Sequence, residues 1–264
     1  MKKYLTVFKI SWARELEYRL AFFLGRSRNI IFLLLLYYVW LSLSRMTGRF
    51  AMYSADELAA YVFGAHLLRS VVFGSQTREI AWDINNGNFS NYLTHPVSHF
   101  WYMFWLQAAQ RALYFLSAIF ELVIFVFITK AHFFRQTQWQ LLLVSILATV
   151  LASFLYFILT YVVSLSAFWS REAMGPRFLF EWILEFSSGS FFPLDILSKN
   201  LLAVFQFLPF AYLIYFPLKI YLGGWNAGQI AGGIGIQAVF IFVFAALARV
   251  VLKRGLMRYS GEGI

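Results

Sequence analysis

The sequence predicts an all-α integral membrane protein whose single domain spans residues 1–264. The 264 residues are 61% hydrophobic and 13% charged, with a mean hydropathy of +0.68, whereas soluble domains carry about 25% charged residues. Aromatic residues make up 21%, which suits helices anchored at the headgroup level by amphipathic rings. The charges stand in short segments between long apolar runs, an arrangement that predicts helices crossing a bilayer.

The first predicted element is an amphipathic helix over residues 1–28. Apolar side chains recur in it at helical spacing, at Leu5, Phe8, Trp12 and Leu16. Charged residues lie between them, so one face of the helix is apolar and the other polar. We expect this helix to lie in the membrane interface ahead of the first span.

Six segments are predicted to cross the membrane, since a crossing takes about 20 apolar residues. They cover residues 30–44, 58–75, 100–128, 139–169, a segment from about Phe178, and 229–252. An even number of spans places both termini on one side. Most lysines and arginines of the connections fall on that side, which identifies it as the cytoplasm under the positive-inside rule.

The apolar stretch before the last span is broken by prolines. Residues 191–224 contain Pro193, Pro209 and Pro217 and follow a Ser-Ser-Gly-Ser cluster, and one straight helix cannot run through these residues. We expect a re-entrant helical hairpin on the outer side of the membrane, although the sequence does not place its turn. The alternative is two full crossings, which gives seven spans and termini on opposite sides.

The net charge of +10 indicates contact with anionic membrane lipids, because the cations border the apolar runs. A nucleic-acid partner is therefore not expected. The sequence has no cysteine, so neither disulfides nor thiol chemistry enters the prediction. His95 and His99 are four residues apart, but Pro96 interrupts the helix that would align them, and no metal site is predicted.

The longest polar stretch is the connection of residues 76–98 after the second span. Residues 77–84 predict a short helix, Asn85-Asn86-Gly87 is a turn signal, and Pro96 precedes the next span. A short helix between two long spans is a natural lever, since a partner pushing on it moves both. The plainer interpretation is a solvated connection, which most polar loops are.

The motifs of this connection resemble the ABC type-2 transporter permease family. In order along the chain they are Arg78-Glu79-Ile80, Asn86-Gly87-Asn88-Phe89, Tyr92-Leu93 and His95-Pro96-Val97-Ser98. The resemblance implies that the connection carries a coupling helix docking on an ATPase, through Arg78, Glu79, Ile80, Asp83, Gly87, Phe89, Leu93 and Pro96. Ser90 stands where the family often has an acidic residue.

The resemblance also implies partners and a location. The chain contains no GxxxxGK[ST] phosphate loop, so it binds no cofactor of its own, and ATP and Mg²⁺ are expected on separate ABC ATPase subunits. We expect a second permease chain, the same or a sister, in a bacterial-type inner cell membrane. Gly228 and Gly232 have the GxxxG spacing that lets helices approach closely, either between chains or within one.

Charged residues inside the predicted spans are candidates for the translocation path, because such charges face protein or water. Glu121 is the strongest candidate, with Arg69 as the more plausible partner on a neighbouring helix. Glu181 and Glu185 share one helix face at i, i+4 spacing and join it as path candidates.

Two other functions remain open from the residues alone. An ion-coupled secondary transporter would use Glu121, Glu181 and Glu185 as its ion site. A membrane-embedded enzyme acting on lipid would use His95 or His132 as a base.

Overall fold

The protein is helical throughout the part described by the computed structural model, which comprises residues 2–17, 19–47, 50–74, 77–94, 97–170 and 174–259. These residues contain no β-strand, and Phe50 and Tyr53 form an isolated bridge. The helices are α1 (Lys2–Glu17), α2 (Arg19–Thr47), α3 (Ala55–Val72), α4 (Arg78–Asn85), α5 (Phe89–Leu93), α6 (His99–Thr129), α7 (Trp139–Ser164), α8 (Met174–Ser187), α9 (Lys199–Phe207), α10 (Tyr215–Tyr221) and α11 (Ala227–Leu256).

Four helical segments among the described residues are long and apolar enough to cross a membrane. They are Phe22–Arg45 within α2, α6, Trp139–Phe168, which extends α7 by a 3₁₀ turn, and α11. The other two predicted spans correspond to α3 and α8. Helix α3 has 18 residues and carries two carboxylates and an arginine, and α8 has 14 residues, a length of about 21 Å.

The beginning of the chain differs from the prediction of one separate helix over residues 1–28. Helix α1 ends at Glu17, and α2 begins at Arg19 and continues without interruption to Thr47. The reason is that no proline interrupts residues 19–29 and Gly25 has open space around it. Residues 19–28 are therefore continuous with the first predicted span.

Helices α1 and α2 run parallel to α6. Ser11 Oγ donates to the Leu106 carbonyl, Gln110 Nε2 donates to Glu15, and Arg26 donates to Glu121. Each contact joins residues 95 positions apart, so the helices advance in the same direction. Helix α1 thus packs on α6 through one face, and its apolar side chains Leu5, Ile10 and Leu16 stay exposed.

The broken stretch after α8 follows the local sequence closely. Helix α8 ends at Ser187, and Gly189 has a φ of +81° beside the Tyr61 hydroxyl and Tyr215, a conformation and a space that suit glycine. Pro193 precedes a 3₁₀ turn over Leu194–Ile196.

The two later prolines also stand where proline is tolerated. Pro209 opens a 3₁₀ turn over Pro209–Tyr212, and Pro217 lies in the first turn of α10. No intrahelical donor is lost at such positions. The prediction that no straight helix runs through this stretch is confirmed.

The largest apolar cluster lies between α3, α7, α10 and α11, and small residues allow its close packing. Ala148 and Ala152 of α7 are fully buried in it. A Cβ added to Gly64 would overlap Leu218, and one added to Gly233 would overlap the Phe216 ring. Because lipid is as apolar as these side chains, the stability of the cluster comes from contact at short range rather than from exclusion of water. The glycines of α11 thus contribute to packing within the chain at Gly233, and Gly232 faces open space.

Gly233→Ala should lower the stability of the purified protein by about 1–3 kcal/mol, the usual cost of overfilling a packed core. Gly232→Ala is the matched control, because its methyl group meets no neighbour and alanine is the better helix former. Thermal unfolding in detergent, followed by size-exclusion chromatography, measures both. Equal unfolding midpoints for the two variants would show that α10 does not pack closely on α11.

Candidate functional site

The α3–α6 connection forms two short helices with one buried and one exposed face. Ile80, Ala81 and Ile84 of α4 and Phe89 of α5 are buried against the 3₁₀ turn that follows α7 and against α11. Exposed on the opposite side are Arg78, Glu79, Trp82, Asn86 and Leu93. Trp82 is 59% exposed. The connection therefore holds its position through an apolar face and presents a polar surface centred on an aromatic ring.

The turn between the two short helices is the predicted one. Gly87 has a φ of +77°, and Asn86 Nδ2 donates to the Trp82 carbonyl at the end of α4. Tyr92 donates to Asp83 at 2.8 Å. Burial raises the pKa of the Asp83 carboxyl, and the hydrogen bonds from Tyr92 and Asn88 oppose this rise. The predicted contact residue Pro96 lies outside the described residues.

Five residues tie the start of α4 to α7 and α8, and we refer to them as the Arg177 cluster: Thr77, Arg78, Ser164, Arg177 and Glu181. Arg177 donates to the hydroxyls of Thr77 and Ser164 and, at 2.9 Å, to Glu181. Arg78 donates to the other oxygen of Glu181 at 2.9 Å, and Ser164 Oγ donates to the Thr77 carbonyl. Thr77, Ser164 and Arg177 are at most 3% exposed.

Two further contacts attach the connection to other parts of the chain. Arg14 of α1 pairs with Glu79 at 3.2 Å, an exposed pair that contributes little stability in water. The backbone N–H of Ser90 donates to the hydroxyl of Tyr259, which follows α11. The connection consequently contacts α1, α7, α8 and α11 together.

A polar cavity of about 660 Å³ lies next to the Arg177 cluster. Its walls come from α1, α2, α3, α6, α7 and α8, with Arg78 at the start of α4. The charged residues that line it are Glu15, Arg26, Arg28, Arg69, Arg78, Glu181 and Glu185. The structure thus brings the two predicted path residues Glu181 and Glu185 together at one cavity.

Both of these glutamates are neutralised by arginines. Glu185 pairs with Arg69, and Glu181 pairs with Arg78 and Arg177. The Arg69 guanidinium also stacks on the rings of Phe32 and Phe191, 5.0 and 5.3 Å from their centroids. The arrangement holds guanidinium groups in fixed positions along the wall.

Glu121 pairs with different residues from the predicted one. It accepts two hydrogen bonds from Arg26, one of them at 2.7 Å, and lies 3.0 Å from Nε2 of His66. The prediction of Arg69 as its partner is wrong, because Arg69 lies one turn beyond His66 on α3 and reaches Glu185 instead. Arg26 and Glu121 are both buried, and the pair joins α2 to α6 at the edge of the polar cavity.

A second cluster of polar side chains lies at the opposite end of α3 and attaches the segment that follows α8 to the beginning of α3. Lys219 of α10 donates to Asp195 at 2.8 Å and to the Tyr53 hydroxyl at 2.9 Å. Burial and the neighbouring Asp195 carboxylate raise the pKa of the Tyr53 phenol, so Tyr53 stays protonated and donates to Asp195. Asp195, Lys219 and Tyr53 together link α10 to the beginning of α3.

The histidines of the chain form no metal site within the described residues. His99 Nδ1 lies 2.9 Å from the Tyr161 hydroxyl, and His132 is exposed in the connection after α6. His95, a predicted alternative base, lies outside the described residues.

The residues that sequence reasoning missed are Thr77, Trp82, Ser164, Arg177 and His66. The i, i+4 spacing of Arg177 and Glu181 was a usable signal for an ion pair on one helix face. The others depend on contacts between distant segments, for which a single sequence offers no marker.

Glu121→Gln should destabilise the protein by about 3–5 kcal/mol, because it leaves the buried Arg26 guanidinium without a counter-charge. The double variant Arg26→Met with Glu121→Leu should recover most of this loss, since neither charge then remains buried. Thermal unfolding of the unaltered chain, Arg26→Met, Glu121→Leu and the double variant forms the cycle. Additive losses would mean that the two side chains do not interact.

Comparison with known families identifies a match. The sequence model of the family described as "ABC-2 family transporter protein" matches residues 29–263. No curated protein and no solved structure matches the chain. The matched residues include the α3–α6 connection, the Arg177 cluster and most of the residues that line the polar cavity.

Proposed function

Because the chain belongs to the ABC-2 family of transporter proteins and has several helices long and apolar enough to cross a membrane, we propose that it is the permease subunit of an ATP-driven exporter. ATP and Mg²⁺ bind to separate ABC ATPase subunits in this proposal. The observation that carries it is the α3–α6 connection. Trp82 on its outward face is accessible to a partner, while its buried face and the Arg177 cluster join it to the neighbouring helices.

The ATPase docks on the exposed face of α4. Arg78, Glu79, Trp82 and Asn86 lie on this face at helical spacing. A tryptophan that stands out from a charged surface is typical of the residues that dominate binding energy at interfaces. Ile80 and Phe89 are buried, so they hold α4 and α5 in position and do not contact the ATPase. The predicted coupling residues therefore form two groups, one that contacts the ATPase and one that supports the helices.

Movement of α4 reaches the spans through the Arg177 cluster. Thr77 and Arg78 at the start of α4 are bonded to Ser164 of α7 and to Arg177 and Glu181 of α8. A buried charged network cannot separate without leaving unpaired charges, which costs several kcal/mol. A push on α4 therefore displaces the ends of α7 and α8, and the polar cavity between them changes shape.

The proposed topology has six spans, with α3 and α8 added to the four long apolar helices and with both termini and α4 in the cytoplasm. Helices α9 and α10 form the re-entrant hairpin on the outer side. Two contacts support it: Lys219 of α10 meets Asp195 beside the start of α3, and Gln237 within α11 donates to the Tyr212 carbonyl between α9 and α10.

The assembly contains two permease chains, identical or sister chains, in a bacterial-type inner membrane with lipids around the exposed apolar faces. The chain itself carries no catalytic residue in this proposal. Glu181 and Glu185 line the path at the polar cavity, and Glu121 fixes Arg26 at its edge.

Trp82→Ala should weaken association with the ATPase by about thirty-fold or more, corresponding to at least 2 kcal/mol for a central aromatic anchor. Co-purification of the ATPase with the tagged permease, and the affinity of the two purified subunits, measure this loss.

Trp139→Ala is the matched control, because Trp139 is 65% exposed at the opposite end of the long helices. Its variant should bind the ATPase as the unaltered chain does. If Trp82→Ala and Trp139→Ala associate equally well with the ATPase, α4 is not the docking helix.

The absence of cysteine makes single-cysteine labelling a direct test of topology. Cysteines at Asn86 and Met257 should react with a membrane-impermeant maleimide only from the cytoplasmic side, and cysteines at Thr137 and Asn200 only from the outside. Reaction at Met257 from the side opposite to Asn86 would replace the six-span arrangement with the seven-span one.

A further inference from the structure

The polar cavity has the size of a small-molecule site and an excess of positive charge. Its volume of about 660 Å³ falls within the range of about 300–1,000 Å³ found for ligand pockets. Four arginines and three glutamates line it. Glu121 and Arg177 lie behind the wall as ion-pair partners of Arg26 and Glu181. Including them gives five arginines and four glutamates, so the net charge is +1 by either count.

Arg28 is the lining arginine that forms no ion pair among the described residues. Arg26, Arg69 and Arg78 each have a carboxylate partner, and no carboxylate of the described residues lies within ion-pair distance of Arg28. Its side chain is exposed near the beginning of the apolar segment Phe22–Arg45. An anion in the cavity can therefore pair with Arg28 without displacing a carboxylate.

The guanidinium groups of Arg26 and Arg69, which line the same cavity as Arg28, are fixed in position before any anion binds. Arg26 is fixed by its two bonds to Glu121 and stacks over Tyr114 at 5.8 Å. Arg69 is fixed by Glu185 and by the Phe32 ring. Planar guanidinium donors in fixed positions match the oxygens of a phosphate group, and a site built in advance loses little entropy on binding.

The surroundings of the cavity indicate an amphiphile rather than a free ion. Leu24 lines the cavity and is 60% exposed. Phe23 and Ile31 on the same helix are 67% and 66% exposed. An acyl chain can therefore lie along the apolar surface of α2 while its headgroup occupies the charged cavity.

We propose that this cavity binds the anionic phosphate headgroup of an amphiphile, with Arg28 as the principal contact and the chain of the amphiphile along α2. That such an amphiphile is the cargo of the transporter rests on the proposed function. Arg78 belongs both to the cavity wall and to α4, so docking of the ATPase acts directly on the site.

Photolabelling in nanodiscs tests the binding without any ATPase. The permease is reconstituted in phosphatidylcholine nanodiscs with a small fraction of phosphatidylglycerol that carries a photoreactive diazirine, and labelled peptides are mapped. We expect labelling of α2 near Leu24 and Arg28. Arg28→Gln should reduce it about ten-fold, the loss of one charge-assisted hydrogen bond, and Arg28→Lys should retain most of it.

Arg45→Gln is the control, because Arg45 is an exposed arginine at the other end of α2 and should leave labelling unchanged. Unlabelled phosphatidylglycerol should compete far better than inorganic phosphate at equal concentration. Equal labelling in Arg28→Gln and Arg45→Gln, or equally strong labelling by a phosphatidylcholine probe, would overturn the proposal. Equal competition by inorganic phosphate would show that the cavity binds free phosphate and would overturn the proposal that it binds an amphiphile.

The two proposals can fail separately. Loss of ATPase association in Trp82→Ala together with unselective labelling would leave the transporter assignment intact and remove the cavity as a headgroup site. Selective labelling without any ATPase association would retain the binding site and remove its role in ATP-driven export.

Discussion

The buried guanidinium of Arg177 is the interaction on which the proposed function depends. It joins the residue before α4 to α7 and α8 through Thr77, Ser164 and Glu181. A buried charge must be paired and hydrogen-bonded, so these partners cannot move independently of one another. The short α3–α6 connection is thereby joined to α7 and α8, and the polar cavity lies directly beside this junction.

Most of the helices could be predicted from the sequence, because apolar composition over long segments is a local property. Helices α6, α7 and α11 agree with their predicted bounds within a few residues, and the short helix α4 and the Gly87 turn are confirmed. The contacts between helices could not be predicted. Several cations on other helices were possible partners for Glu121, and only the packing of α2 along α6 identifies Arg26 as the partner. The position of the 3₁₀ turn over Pro209–Tyr212 likewise depends on a contact with α11, where Gln237 donates to the Tyr212 carbonyl.

Pairing of the carboxylates also distinguishes between functions. A cation site in a secondary transporter needs carboxylates whose charge is available to the ion, whereas Glu121, Glu181 and Glu185 each have an arginine partner. The same pairs leave the lining of the cavity with more arginines than glutamates, which is the basis of the proposed anion site. This pairing of the carboxylates favours the proposed transporter driven through α4 over one driven by an ion gradient.

In the proposed mechanism, α4 and α8 move as one unit when the ATPase binds ATP. Pulsed electron resonance between spin labels tests it, with cysteines at Asn86 of α4, at Ile183 of α8 and at Thr137 after α6. On addition of ATP to the complex with the ATPase, the distance from Asn86 to Ile183 should stay constant and that from Ile183 to Thr137 should change. A change between Asn86 and Ile183 with none between Ile183 and Thr137 would contradict the account.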